Sequence, residues 1–177
     1  AIYAGKHHCM MDVFIPFIII RDSCHILKKE LMWTPFLGWY AFSTGMIPID
    51  REGTSKTLKA IIAAGKKRKD EGRTIIIFPE GTRRAPDDPP LYQPAGISAL
   101  NKALDVPIIP VATNAGLCWP AKGARRKPGK IVYEVLPAIP PGLDRKALMA
   151  RLESDLETAS NRLIAEGRAA QAAKGVK

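Results

Sequence analysis

Cysteine, histidine, acidic residues and long hydrocarbon runs are all in short supply in this chain of 177 residues. The cysteines are three, Cys9, Cys24 and Cys118. An odd and sparse set implies no disulfide framework, so a reducing, cytoplasmic-side environment is the simpler expectation. No signal peptide is recognisable, and no apolar run is long enough to span a bilayer. The chain opens on AIYAG without an initiator Met, as though a strand were entered midway. A truncated N-terminus is therefore expected, and the lack of an anchor here says little about the natural protein. Acidic side chains number 17 against 27 Lys and Arg, leaving a net charge of +10. Such an excess attracts polyanions, namely nucleic acid, anionic lipid or acidic partners, without choosing among them. Apolar residues at 46% and charged residues at 25% exclude general disorder, and the length suits one domain with a real core.

What is present reads as alternating strands and helices. Ala1–Gly5 suits a buried strand entering a polar turn, and Met10–Ile20 a buried helix whose regularity Pro16 limits. Cys24–Leu31 reads as a strand with Lys28 and Lys29 at its centre. Residues 31–49 carry no charge but hold Trp33, Phe36, Trp39, Tyr40 and Phe42 among Pro35, Gly38, Gly45 and Pro48. Two readings of that stretch are open: plain core, or an element lying at a membrane interface, where Trp and Tyr concentrate. Met46–Asp50 reads as a strand, and Thr54 or Ser55 caps a helix with Leu58, Ile61 and Ile62 on one face, ending near Gly72. Thr74–Phe78 is a buried strand, Gly96–Asp105 a short helix, and Val106–Val111 and Lys130–Leu136 further strands. Leu143 to about Ala173 is a helix with Leu148, Leu152, Leu156 and Leu163 along one side. The pattern predicts an α/β fold: a mixed, largely parallel sheet with helices on both faces, in a single domain.

Two segments hold groups suited to chemistry. In KHHCMMD, His7 and Asp12 are five positions apart. On one helix that spacing turns the side chain by about 140°, so they meet only if His7 sits in the turn and Asp12 in the helix that follows. A carboxylate on one imidazole nitrogen fixes the tautomer and frees the other nitrogen as a base. In FPEGTR, Phe78–Arg83, a buried strand delivers an acid, a glycine and a guanidinium to the carboxyl edge of the sheet, where ligands of such folds collect. Arginine suits bidentate contact with phosphate. Standing alone, the segment reads as an ordinary loop with Glu80 and Arg83 as a surface ion pair.

With GMIPIDR (Gly45–Arg51) and VPIIPVA (Val106–Ala112), these segments occur in the order and approximate spacing of four motifs. Together they resemble the glycerolipid acyltransferase family, whose best-known members are the bacterial 1-acyl-glycerol-3-phosphate acyltransferases. The likeness covers residues 1–140, taken as the catalytic domain, and leaves 141–177 as a C-terminal helix packing on it or extending from it. The resemblance implies His7 as general base and Asp12 as its orienting partner. It places Arg51, Gly81, Thr82 and Arg83 at the acceptor and its phosphate, Glu80 as the family's acid, and Pro110 as the proline of the fourth motif. Two departures stand out: Cys9 where the family often has Ser, and Pro48 where an aromatic is common.

The implied reaction moves a fatty acyl group from acyl-CoA or acyl carrier protein to the sn-2 hydroxyl of 1-acyl-glycerol-3-phosphate, giving phosphatidic acid without metal or cofactor. Another lysolipid, such as a lyso-ornithine lipid, is the alternative acceptor. An anionic membrane surface, at the cytoplasmic face of the cell membrane, is the expected partner; nucleic acid is not, since no recognised module accompanies the charge. Two rivals of other kinds rest on the same residues. One uses Cys9 as a nucleophile. The other gathers His7, His8, Cys9, Cys24 and His25 around a metal in a basic module without catalysis, although their spacing matches no closed zinc motif.

Overall fold

The computed structural model describes residues 1–50, 55–123 and 125–175, so Arg51 and the cap position Thr54 lie outside the described residues. The elements are β1 (Ile2–Gly5), α1 (Met11–Ile19), β2 (Ser23–Lys28), α2 (Leu37–Ser43), β3 (Ile47–Ile49), α3 (Ser55–Asp70), β4 (Thr74–Ile77), α4 (Pro94–Leu104), β5 (Ile108–Thr113), β6 (Tyr133–Val135) and α5 (Arg145–Ala173). The six strands run in the order β3-β2-β4-β1-β5-β6, all parallel except β6, which is antiparallel to β5. The sheet is thus mixed and mostly parallel, as the alternation predicts.

Strand β1 is central, flanked by β4 and β5, which explains why all four of its residues are buried. Side-chain alternation divides the core. Ile2, Ala4, Ile75, Ile77 and Ile108 meet Ile61 of α3, Ile97 and Leu100 of α4, and Leu148, Leu152 and Leu156 of α5. Tyr3, Ile76 and Val111 point the other way, into a smaller cluster with Ile20, Phe78, Ile109 and Tyr133. Helix α3 crosses α4 at Gly65, where an added Cβ would lie 2.6 Å from a methyl of Leu100. Helix α5 starts at Asp144, whose carboxylate accepts the Ala147 amide at 2.8 Å.

Three expectations need correction. The strand expected over Cys24–Leu31 stops at Lys28, because its pairing ends at Lys28 with Ile49; Lys29–Trp33 then winds into a 3-10 turn. Helix α1 forms, but it is not a buried helix: only Asp12 and Pro16 are buried, while Phe14, Ile18 and Ile19 are exposed. The plain-core reading of residues 31–49 fails for most of the aromatics. In α2 the inward positions are the small Gly38 and Ala41, and Gly38 admits no Cβ, which would lie 1.9 Å from the Met32 carbonyl oxygen. The large side chains Trp39 and Phe42 consequently face out, 75% and 79% exposed, and Trp33 and Phe36 just ahead of the helix are exposed as well. This is an amphipathic helix turned inside out. The Phe17 and Tyr40 rings, 6.2 Å apart, bring α1 and α2 side by side. No helix among the described residues is long and apolar enough to cross a membrane.

The fold also buries two histidines at a cost. Both ring nitrogens of His8 and Nε2 of His25 lack a hydrogen-bond partner among the described residues. Burial pushes each imidazole down from 6.5 to about 4. Between these values the unfolded chain binds protons that the folded chain refuses, so stability falls as pH drops from 6.5 towards 4. At about 1.4 kcal/mol per pH unit, each residue accounts for up to roughly 3 kcal/mol. Urea denaturation is therefore expected to show lower stability at about pH 4.5 than at about pH 7. His25→Phe, which keeps the ring beside Phe17, should narrow that difference; an unchanged difference would mean that His25 is protonated in the fold.

Candidate active site

Parallel pairing of β1 with β4 sets Ala4 beside Ile77, so the segments that leave the two strands emerge together. The FPEGTR segment and the residue after it, Arg84, then grip His7 from three directions. Phe78 stacks on the imidazole with ring centroids 4.3 Å apart and an angle of 19°. The Glu80 carboxylate accepts the His7 amide at 2.8 Å, and the Arg84 amide donates to the His7 carbonyl at 2.8 Å. Gly81 makes the turn possible at φ +69°, a conformation that an L side chain rarely adopts.

Asp12, in the first turn of α1, reaches back into the loop. Its Oδ2 accepts the amides of His8 at 2.6 Å and Cys9 at 2.7 Å, and lies 3.3 Å from His7 Nδ1. Its Oδ1 accepts the Tyr133 hydroxyl at 2.8 Å and the Cys9 thiol at 3.6 Å. Burial opposes ionisation of Asp12, but the bonds from His7, the Cys9 amide and Tyr133 outweigh it and hold the carboxyl below its ordinary value. The Asp12 side chain is 1% exposed and that of His7 14%, so the acid is sealed and the imidazole is reachable. With Nδ1 turned to Asp12, Nε2 is the nitrogen left for chemistry. The imidazole contact is longer than the usual span of roughly 2.7–3.2 Å, as is common before a substrate tightens such a pair.

Beneath the loop lies a second network. Lys6 Nζ donates to Glu80 and to Glu157 of α5, each at 2.8 Å, and the Tyr92 hydroxyl donates to Glu157 at 2.6 Å. Burial pushes the Glu80 carboxyl up, against the pull of Lys6 and the His7 amide. Glu80 is 2% exposed and paired with Lys6, so the surface ion pair with Arg83 does not exist. Its place is under His7, supporting the loop, rather than at a position open to an acceptor.

Of the residues singled out from sequence, His7, Asp12 and Glu80 are brought together, and Gly81, Thr82 and Arg83 follow on the adjoining turn. Thr82 and Arg83 are exposed, and Arg83 has no hydrogen bond or ion pair among the described residues. Arg51 lies outside the described residues. Pro110 is buried within β5 opposite Ala4, a strand residue three positions short of the His7 level. Cys9 is fully buried, and burial, reinforced by Asp12, pushes its thiol up to about 11. A thiol held protonated in this way is a poor nucleophile. Cys24 belongs to the main core, and the His25 ring sits 4.4 Å from that of Phe17. No group of three or more His, Cys, Asp or Glu among the described residues is set to hold a metal. Sequence reasoning passed over Lys6, although it adjoins His7, and Tyr92, Tyr133 and Glu157, for which distance along the chain leaves no local signal.

The chain is similar to known proteins in both sequence and fold. The family model described as Acyltransferase matches residues 1–114. A 1-acyl-sn-glycerol-3-phosphate acyltransferase of Pseudomonas aeruginosa is 32% identical over 135 residues, 76% of this chain and 52% of that protein. The Haemophilus influenzae protein of the same name is 32% identical over 118 residues, covering 65% of this chain and 48% of its own. The chain thus spans about half the length of these curated relatives. The crystal structure of the 1-acyl-sn-glycerophosphate acyltransferase from Thermotoga maritima superimposes with a TM-score of 0.74 over 92% of this chain and 65% of that one, at 23% identity, and so attests the fold. On the match to its first 114 residues, which include the whole His7–Asp12 loop and the FPEGTR turn, the chain belongs to the acyltransferase family.

Proposed function

We propose that the chain is the catalytic part of an O-acyltransferase that moves a fatty acyl group from acyl-CoA or acyl carrier protein to the sn-2 hydroxyl of 1-acyl-glycerol-3-phosphate. The observation that carries the reading is a reachable imidazole whose Nδ1 faces a sealed carboxylate, at the carboxyl edge of a parallel sheet. His7 Nε2 takes the hydroxyl proton as the oxygen attacks the thioester carbonyl, and Asp12 steadies the imidazolium. Collapse of the tetrahedral intermediate expels the thiolate, which recovers the proton from His7. General-base assistance of this kind contributes about 10²–10⁴ in rate. No metal or cofactor takes part in these steps.

The named relatives support the acceptor, and the exposed, unpaired Arg83 offers a guanidinium to its phosphate, with Arg51 as second candidate. The net charge of +10 suits an acidic acyl donor and an anionic bilayer. The three cysteines are unpaired, in keeping with a cytoplasmic-face location. The direct test is mass spectrometry of products from a panel of lysolipids offered with each donor. His7→Ala should abolish transfer and Cys9→Ser should retain it. Arg83→Ala should penalise lysophosphatidic acid by about 10- to 150-fold in kcat/KM, the worth of a charge-assisted bond, and monoacylglycerol far less. Activity in His7→Ala sinks the base assignment, and equal losses on both acceptors sink the phosphate assignment.

The outward aromatics of residues 33–42, beside Phe14, Ile18 and Ile19 and the exposed Lys28 and Lys29, form the face we assign to the bilayer. Binding to vesicles rich in anionic lipid should weaken with salt, which screens surface charge over about 8–10 Å. The salt-resistant remainder should drop in Trp33→Ala and Trp39→Ala. Absence of vesicle binding at low salt would exclude this face as a membrane contact.

A further inference from the structure

Asp12 has two oxygens with unequal company. Oδ2 receives the His8 and Cys9 amides and faces His7, all from its own loop. Oδ1 receives the distant thiol of Cys9 and one strong donor, the Tyr133 hydroxyl at 2.8 Å, from 121 residues away. A sealed carboxylate with an unmet oxygen turns readily about its own axis, and here each turn moves Oδ2 away from His7. The His8 and Cys9 amides hold Oδ2, and Tyr133 is the group that resists that rotation from the Oδ1 side. It lies in β6, beyond the residues matched by the acyltransferase family model.

The tyrosine is itself held firmly. It pairs with Thr113 in the antiparallel ladder of β5 and β6, and its ring packs with Tyr3, Ile76 and Val111. Just before it, the Val132 amide donates at 2.9 Å to the buried Asn114, whose Nδ2 donates to the carbonyls of Lys130 and Leu163. The aim of the hydroxyl is therefore set by sheet pairing and a side-chain clamp, not by a loose loop. Burial and the charge of Asp12 both push the phenol upward, so it stays a proton donor throughout the range in which an imidazole titrates.

We infer that Tyr133 is a positioning residue of the active site, locking the rotation of Asp12 so that its Oδ2 stays aligned with His7 Nδ1. The inference rests on the proposed role of the His7–Asp12 pair. Other groups that face Asp12 are His7, the amides of His8 and Cys9, the Cys9 thiol and the buried His8 imidazole from the loop, and Tyr3 from the sheet. None of these replaces a donor on Oδ1 at ordinary hydrogen-bond length.

Tyr133→Phe keeps the ring and removes the hydroxyl, so folding should survive. In the full chain, kcat for acyl transfer should fall about tenfold while KM for both substrates stays within about twofold, as for an interaction felt mainly in the transition state. The acid limb of the kcat/KM profile should move to lower pH, because an Oδ2 swung away from Nδ1 stabilises the imidazolium less. In an Asp12→Asn background the same change should have no further effect on kcat, since its target is gone. A wild-type kcat and acid limb would overturn the inference, as would equal fractional losses in both backgrounds, which mark ring packing alone. His7→Ala separates the two levels. If it stays active, the base reading itself fails; if it is dead while Tyr133→Phe behaves as wild type, only the role of Tyr133 fails.

Discussion

A buried carboxylate must be met by donors, and the site is built around that requirement at Asp12. Two amides of the preceding loop, an imidazole and a tyrosine hydroxyl converge on it. Meeting it folds the loop back over the start of α1, which is why residues five apart approach although a helix would separate them. The same constraint assigns the roles within the pair. The sealed partner stays ionised, and on the proposed mechanism the reachable partner is the one that exchanges a proton with substrate.

Two carboxylates flank His7 and their surroundings push them in opposite directions, Asp12 down and Glu80 up. Asp12 faces the ring at 3.3 Å, whereas Glu80 accepts the backbone amide and carries Lys6, which ties the loop to Glu157 of the last helix. The FPEGTR segment therefore works chiefly as scaffold over residues 78–81, through Phe78 stacking, Glu80 and the Gly81 turn. Its exposed end, Thr82 and Arg83, is what faces solvent. A buried ion pair of this sort is poor evidence of stability but fixes geometry well when its remaining valences are filled. Here the His7 amide and Tyr92 fill them.

The parallel architecture was legible because β1 and β4 read as apolar runs and the helices between them carry periodic leucines and isoleucines. The His7–Asp12 pair was legible from spacing joined to the order of strand, turn and helix. Other features were not, for physical reasons. An apolar helix such as α1 looks buried by composition, and only the absence of a neighbour on its outer side reveals Phe14 and Ile18 as exposed. In α2 it is the small residues, Gly38 and Ala41, that point inward, which reverses the usual inference from an aromatic run. Glu80 looked like a surface acid because its partner, Lys6, lies 74 positions away. Tyr133 and Glu157 meet the site only through β6 and α5, long-range contacts that no local pattern encodes.

On the proposed mechanism, Asp12 fixes the imidazole of His7 with its proton on Nδ1 and its lone pair on Nε2. Nitrogen-15 NMR of histidine-labelled protein near neutral pH reads this directly, with the His7 signals identified by their loss in His7→Gln. The neutral form of the ring should be dominated by the Nδ1–H tautomer, and should become a mixture of tautomers once Asp12→Asn removes the charge. A His7 ring dominated by the Nε2–H tautomer, or one indifferent to Asp12→Asn, would contradict it.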